Sequence, residues 1–276
     1  MNAPRSHPQL DVGQALREGW RAFLRAPWLF VGFALLLIAL QLLLQALSPT
    51  LAPERLPQLE SFSDWETLAP RLRYLTISFG LLLFSTLLSV VVNLWGSCGM
   101  VRAAWVALGG GRPRLHAFTR WDARALLRLY LPGFLLGCSV VFVVAVLVMV
   151  AAVLGRVNAW LALPPGLALL VGSLYLSVSQ AFLPQVALLH DAHPFDAIAR
   201  GRQVVDPAWS GVVALLILNF VLLLAGLFAC GVGLLVAIPL VTCVATAAYR
   251  QLFGPEDRMG LTLGLPETRA PREVQP

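Results

Sequence analysis

GMVRAAWVALGGGRPRLHAFTRWDARALLR, residues 99–128, holds the pattern on which the rest of the chain is built. A long apolar helix ends in it, and Gly109, Gly110 and Gly111 break that helix. Glycine weakens a helix and accepts the left-handed backbone that closes one. An arginine-rich amphipathic segment, residues 115–128, follows and runs straight into the next apolar helix. Phe118, Trp121, Ala125 and Leu129 form its apolar stripe at helical spacing; Arg120, Arg124 and Arg128 form a basic one. Weaker versions of this junction stand near the N-terminus and at residues 190–207. The triple glycine is no phosphate loop, since no strand precedes it and no Gly-Lys-Ser/Thr follows.

On both sides the flanking runs lack Asp, Glu, Lys and Arg. Residues 74–101 and 129–155 are such runs, and so are 157–189 and 211–249. A membrane-spanning helix needs roughly 20 such residues. The whole chain agrees: 276 residues, 58% hydrophobic and 12% charged, with a mean hydropathy of +0.78. A soluble domain carries about 25% charged residues. The reading is an all-α, polytopic integral membrane protein.

Taken in order, residues 1–10 are polar and expected to be disordered. Residues 11–25 read as an amphipathic helix. Val12, Leu16, Trp20, Phe23 and Leu24 share one face; Gln14, Arg17, Glu18, Arg21 and Arg25 share the other. Beside a membrane span, such a helix is expected in the headgroup layer. Span 1 covers residues 28–47. Its length, and the helix before it, favour an uncleaved span over a signal peptide. Residues 49–73 form the longest polar connection, with a short surface helix at 63–73 that Pro70 strains. Span 2 covers 74–108, and Arg102 suggests that its last turns protrude. Span 3 covers 129–154, with Gly133 and Gly137 in the spacing that lets helix backbones approach. Span 4 covers 165–189 with a kink at Pro184. Spans 5 and 6 cover 209–229 and 233–253, joined by a tight turn at 230–233. Residues 11–254 thus make one six-span domain, and 255–276 a disordered tail.

All 20 basic residues are arginine, and the net charge is +6. Six spans put both termini on one side, where 16 of the arginines fall, against 4 on the other. Positive residues mark the cytoplasmic side, so both termini are expected inside. Residues 103–110 align with residues 247–254: Ala103, Ala104, Trp105, Leu108 and Gly110 meet Ala247, Ala248, Tyr249, Leu252 and Gly254. The simplest architecture is three helical hairpins of one orientation, each introduced by a cytoplasmic interfacial helix.

Residues 99–118 are similar to a recurrent pattern of bacterial six-span proteins of unknown function. Residues 194–203, with Phe195, Ala197, Ala199 and Arg200, followed by Trp209, look like a second such pattern. The chain resembles the YciC-like inner-membrane proteins and the membrane domain fused to some glycerophosphodiester phosphodiesterases. The resemblance covers most of residues 11–254 in layout. Where those proteins often have Ser after Ala-x-x-Arg, this chain has Gly201. No phosphodiesterase domain is present, so that activity is not implied. The resemblance implies a six-span architecture in the bacterial plasma (inner) membrane.

The candidate residues fall into three groups. Arg112, Arg114, Arg120 and Arg124 are candidates for anionic lipid headgroups on the cytoplasmic side, since they stand beside apolar spans. Nucleic acid is not an expected partner. Asn93, Gln180 and Asn219 are the intramembrane polar candidates. They could line a pathway, though interhelical hydrogen bonds are the expected use. His190, Asp191 and His193 form a polar helix end rather than a metal site, which needs three or four ligands together. No cofactor or metal is expected, and Cys98, Cys138, Cys230 and Cys243 have no pairing or metal-binding spacing. The chain carries no HExxH, no GxSxG and no paired intramembrane carboxylates, and the expectation is no enzyme. The leading expectation is a non-catalytic accessory, scaffold or envelope-maintenance protein acting through helix and lipid contacts, with a membrane protein partner or a second copy. The alternative is a permease or channel for an uncharged or weakly charged solute.

Overall fold

Asp11 opens the first helix. Its carboxylate accepts the backbone N–H of Gln14 at 2.9 Å, which satisfies one free donor of the helix start. The computed structural model describes residues 10–47, 65–189, 194–229, 231–258 and 260–262. Its α-helices are α1 (Val12–Leu24), α2 (Pro27–Leu47), α3 (Trp65–Leu108), α4 (Leu115–Thr119), α5 (Ala123–Val157), α6 (Leu163–Ser179), α7 (Leu183–Leu189), α8 (Pro194–Val205), α9 (Trp209–Phe228) and α10 (Leu234–Phe253). No strand occurs among the described residues. Among the described residues six stretches are long and apolar enough to cross a membrane: Pro27–Ala46, Phe79–Leu108, Ala123–Val157, Leu163–Leu189, Ile198–Phe228 and Leu234–Phe253. The all-α, six-span fold class is therefore shown. Of the termini expected to be disordered, 1–10 and 255–276, residues 1–9, 259 and 263–276 lie outside the described residues, as do residues 49–64 of the polar connection and residue 230 of the last turn.

Several boundaries differ from the sequence reading. Of the surface helix expected at 63–73, residues 63 and 64 lie outside the described residues and 65–73 are instead the start of α3, which runs unbroken through Pro70 for 44 residues, about 66 Å at 1.5 Å per residue. The segment 115–128 is two helices, because the chain turns at Arg120 (φ −56°, ψ 120°). Asp122 then caps α5 by accepting the N–H groups of Arg124 and Ala125, each at 3.1 Å. The kink expected at Pro184 is a full break at residues 180–182, between α6 and α7. Proline has no N–H for the carbonyl of Gln180, and that carbonyl takes the N–H of Leu183 at 3.0 Å instead. The tail is expected from the sequence to be disordered from Pro255, but its described residues, 255–258 and 260–262, are folded onto the bundle. Asp257 accepts the N–H groups of Leu261 and Thr262 at 3.0 and 2.8 Å, and the Arg258 N–H donates to the Leu189 carbonyl at 2.9 Å.

Packing is densest at the arginine-rich end. Consecutive spans touch, α2 on α3, α5 on α6 and α9 on α10, and α10 also meets α1, α2 and α3. Helix α1 docks through small residues: Ala15, Gly19 and Ala22 are buried together with Phe23. A Cβ on Gly19 would stand 2.7 Å from the Val244 backbone, so only glycine lets the two helices close to this distance. Trp20 and Leu24, on the outward face, stay exposed. The aligned ends of α3 and α10 lie against each other. Trp105 and Tyr249 meet edge to face at 6.1 Å, and Gly110 and Gly254 close the two helices with φ of 96° and 95°. Gly133 and Gly137 are not a packing seam in this chain: a Cβ at either would meet nothing within 4 Å.

Candidate functional site

A cavity of about 560 Å³ opens among α2, α3, α7 and α10. Its polar lining is Gln41 and Gln45 from α2, Asn93 and Ser97 from α3, Gln185 from α7 and Thr242 from α10. None of its lining residues carries a charge. Along α2 it reaches from Ala34 to Gln45, about 16 Å at helical rise and half the thickness of a hydrocarbon core.

The geometry follows from the helices. Gln41 and Gln45 are one turn apart, as are Asn93 and Ser97, so each pair shares a face. The Ser89 carbonyl accepts the amide N–H groups of both Gln41, at 3.1 Å, and Asn93, at 2.9 Å. The break before α7 brings in Pro184 and Gln185. Gln185 is only 5% exposed, and its Oε1 has no hydrogen-bond partner among the described residues. An unmet buried acceptor costs about 1–3 kcal/mol, so a donor on a bound molecule would gain strongly there.

Toward the arginine-rich end the next layer is closed. Phe30 and Phe118 meet edge to face at 5.0 Å, and Phe33 lies 5.2 Å from Phe118 and 5.3 Å from Trp95. Gly99 allows this layer: a Cβ there would come within 2.3 Å of the Phe118 carbonyl oxygen. Beyond it Arg102, which was expected near a protruding end, is wholly buried. Its Nε donates to the Leu261 carbonyl at 3.1 Å, and its Nη1 to the carbonyls of Ala117 and Arg120 at 3.3 and 3.1 Å. One side chain therefore ties together α3, the end of α4 and the C-terminal segment.

The sequence candidates separate. Asn93 lines the cavity, but its amide bonds within its own helix rather than to a neighbour. Gln180 lies at the α6–α7 break, where its Oε1 is near Gly201 of α8 and neither amide atom has a partner among the described residues. Asn219 is buried on α9, and its Oδ1 also lacks one. The interhelical bond comes from Gln41 instead. Gln185 and the joint lining were not singled out in the sequence; the i, i+4 spacing of Gln41/Gln45 and of Asn93/Ser97 is the signal that points to them. Arg112 and Arg114 are exposed on the connection to α4, Arg120 is half-buried at its end, and Arg124 is exposed in the first turn of α5. Phe118 belongs to the core while Trp121 is 61% exposed, so the expected stripe through both is not one face. The turn at Arg120 separates them. His190, Asp191 and His193 lie outside the described residues. Among the described residues no group of three metal-binding side chains occurs, and Cys98, Cys138 and Cys243 are free thiols.

Fold and cavity together define a polytopic helical membrane protein with an uncharged, hydrogen-bonding chamber between its spans. No family model, curated protein or solved structure matches this chain.

Proposed function

We propose that this protein binds a small, uncharged, hydrogen-bonding molecule between its spans, as a permease or carrier does, without catalysing a reaction on it. The observation that carries the reading is the cavity at the break in span 4, with its amide and hydroxyl lining and the unpaired Gln185 oxygen. Broken helices at mid-membrane are where carriers place uncharged backbone and side-chain groups for a substrate. Gentle extraction from native membranes, with mass spectrometry of what stays bound, tests it. The wild type is expected to retain a small molecule that Ala245→Phe, which fills the cavity, loses. Equal retention by both overturns the reading.

A second reading is the accessory or scaffold protein, acting through helix and lipid contacts with a membrane partner or second copy. It is favoured by span 3, whose most apolar window contains no buried residue although it touches α6, so that much of its surface is left to lipid or another chain. A stoichiometric protein in the same extraction supports it. In both readings the end that holds α1, α4 and the C-terminal ends of α3 and α10 faces the cytoplasm, because the order of the spans assigns 16 of the 20 arginines of the sequence to that side. Arg112, Arg114, Arg120 and Arg124 then face anionic headgroups, with α1 as an interfacial helix and the spans as three hairpins. Placement among YciC-like proteins of the bacterial plasma (inner) membrane rests on residues 99–118 and 194–203. The fit of Gly99 against Phe118 gives the first of these patterns a structural reason.

A further inference from the structure

A second pocket, of about 450 Å³, lies between α1 and the C-terminal ends of α3 and α10. Three guanidinium groups line it: Arg21 from α1, Arg25 at the C-terminal cap of α1, and Arg250 from α10. Glu18 is the one carboxylate in the lining, and its Oε1 accepts the Gln14 amide at 2.7 Å. The formal charge of the lining is thus +2. Arg25 has a structural task, because its Nη1 donates to the Ala107 carbonyl at the end of α3. Arg250 stands over the Trp105 ring at 5.4 Å, a contact that fixes the group while leaving its edge donors to a ligand. Gln251 adds a further donor. Its Oε1 accepts the Asp11 N–H at 3.1 Å, while its Nε2 is buried without a partner among the described residues.

Forked guanidinium donors with a spare amide N–H match an anion with several acceptor oxygens. We infer that this pocket binds a phosphate group, supplied by an anionic lipid headgroup or by free phosphate. The site is separate from the cavity between the spans and from the exposed Arg112 and Arg114. Its level in the fold suits a headgroup. Trp20 and Leu24 on the outward face of α1, and Trp28 just beyond it, are exposed, and tryptophan at the end of a span marks the headgroup layer.

The test uses the full chain in neutral detergent. Phosphatidylglycerol, phosphatidylcholine and inorganic phosphate are each titrated and followed by native mass spectrometry. Arg21→Gln and Arg250→Gln are compared with Arg17→Gln, which makes the same charge change on an exposed residue of α1 outside the pocket. Each pocket variant is expected to bind phosphatidylglycerol, or inorganic phosphate if that is what the pocket takes, about tenfold more weakly, as for loss of a charge-assisted bond, with phosphatidylcholine binding unchanged and Arg17→Gln like the wild type. Loss confined to phosphatidylglycerol identifies a lipid headgroup. Loss for inorganic phosphate as well identifies the free anion. Equal binding by all variants, or an equal loss in Arg17→Gln, overturns the inference. Arg21 is exposed, so its variant decides the matter even where Arg250→Gln disturbs the Trp105 contact.

Discussion

Arg102 shows how one residue can change its meaning between sequence and structure. In the sequence it marks the end of a span. In the structure its guanidinium holds three carbonyls from two other segments. Arg102→Met removes those donors and strands the carbonyls, at about 1–3 kcal/mol for each buried group left unpaired. The expected outcome is a lower unfolding temperature in detergent and faster proteolysis near Arg258, because the C-terminal segment loses its tie. Gly99 and the pair Gly133 and Gly137 make a sharper contrast. A Cβ at Gly99 collides with backbone, so Gly99→Ala should cost about 1–3 kcal/mol through forced displacement. At Gly133 and Gly137 the space is open, and alanine there should be neutral or stabilise by about 0.5–1 kcal/mol through helix propensity. Thermal melts of the three variants check both signs. The GxxxG spacing was legible in the sequence, but its use was not, because spacing does not reveal whether a neighbouring helix is present.

At the scale of elements, α1 carried more in its sequence than its two-faced reading used. Ala15, Gly19 and Ala22 form a third, small-residue face, and that face docks on α10. Gly19→Leu is expected to push α1 off Val244. Engineered cysteines at Ala15 and a facing position of α10 would then crosslink at a strongly reduced rate. An unchanged rate would mean that the docking does not depend on the close approach. The junction after α3 teaches the opposite lesson. Its apolar and basic stripes suggested one helix, yet Trp95 donates to the Thr119 carbonyl at 3.3 Å and Arg102 to those of Ala117 and Arg120. Side chains of α3 thus satisfy the last carbonyls of α4, and the chain can turn there. Such long-range capping leaves no periodic trace in the segment that it ends.

For the whole molecule, the cavity sets the testable behaviour. No lining residue titrates between pH 5 and 8, so retention of an uncharged ligand should not vary across that range. A several-fold pH dependence of retention would place a titrating group in the binding path and contradict the lining. Gln185→Leu removes the unpaired acceptor and should weaken retention about tenfold, the loss of one buried hydrogen bond of about 1.4 kcal/mol. The sequence by itself determined the class, the six spans and the arginine asymmetry. These are local properties, set by the length of uncharged runs and the cost of burying a charge in hydrocarbon. Only the tertiary structure decided that Gln41, Asn93, Gln185 and Thr242 meet around one chamber, that Asn219 and Gln180 stand apart from it, and that Arg102 is buried. Those outcomes depend on helix rotation and on close approaches at Gly19 and Gly99 between residues far apart in the chain, and hydrophobic periodicity does not encode which faces will meet.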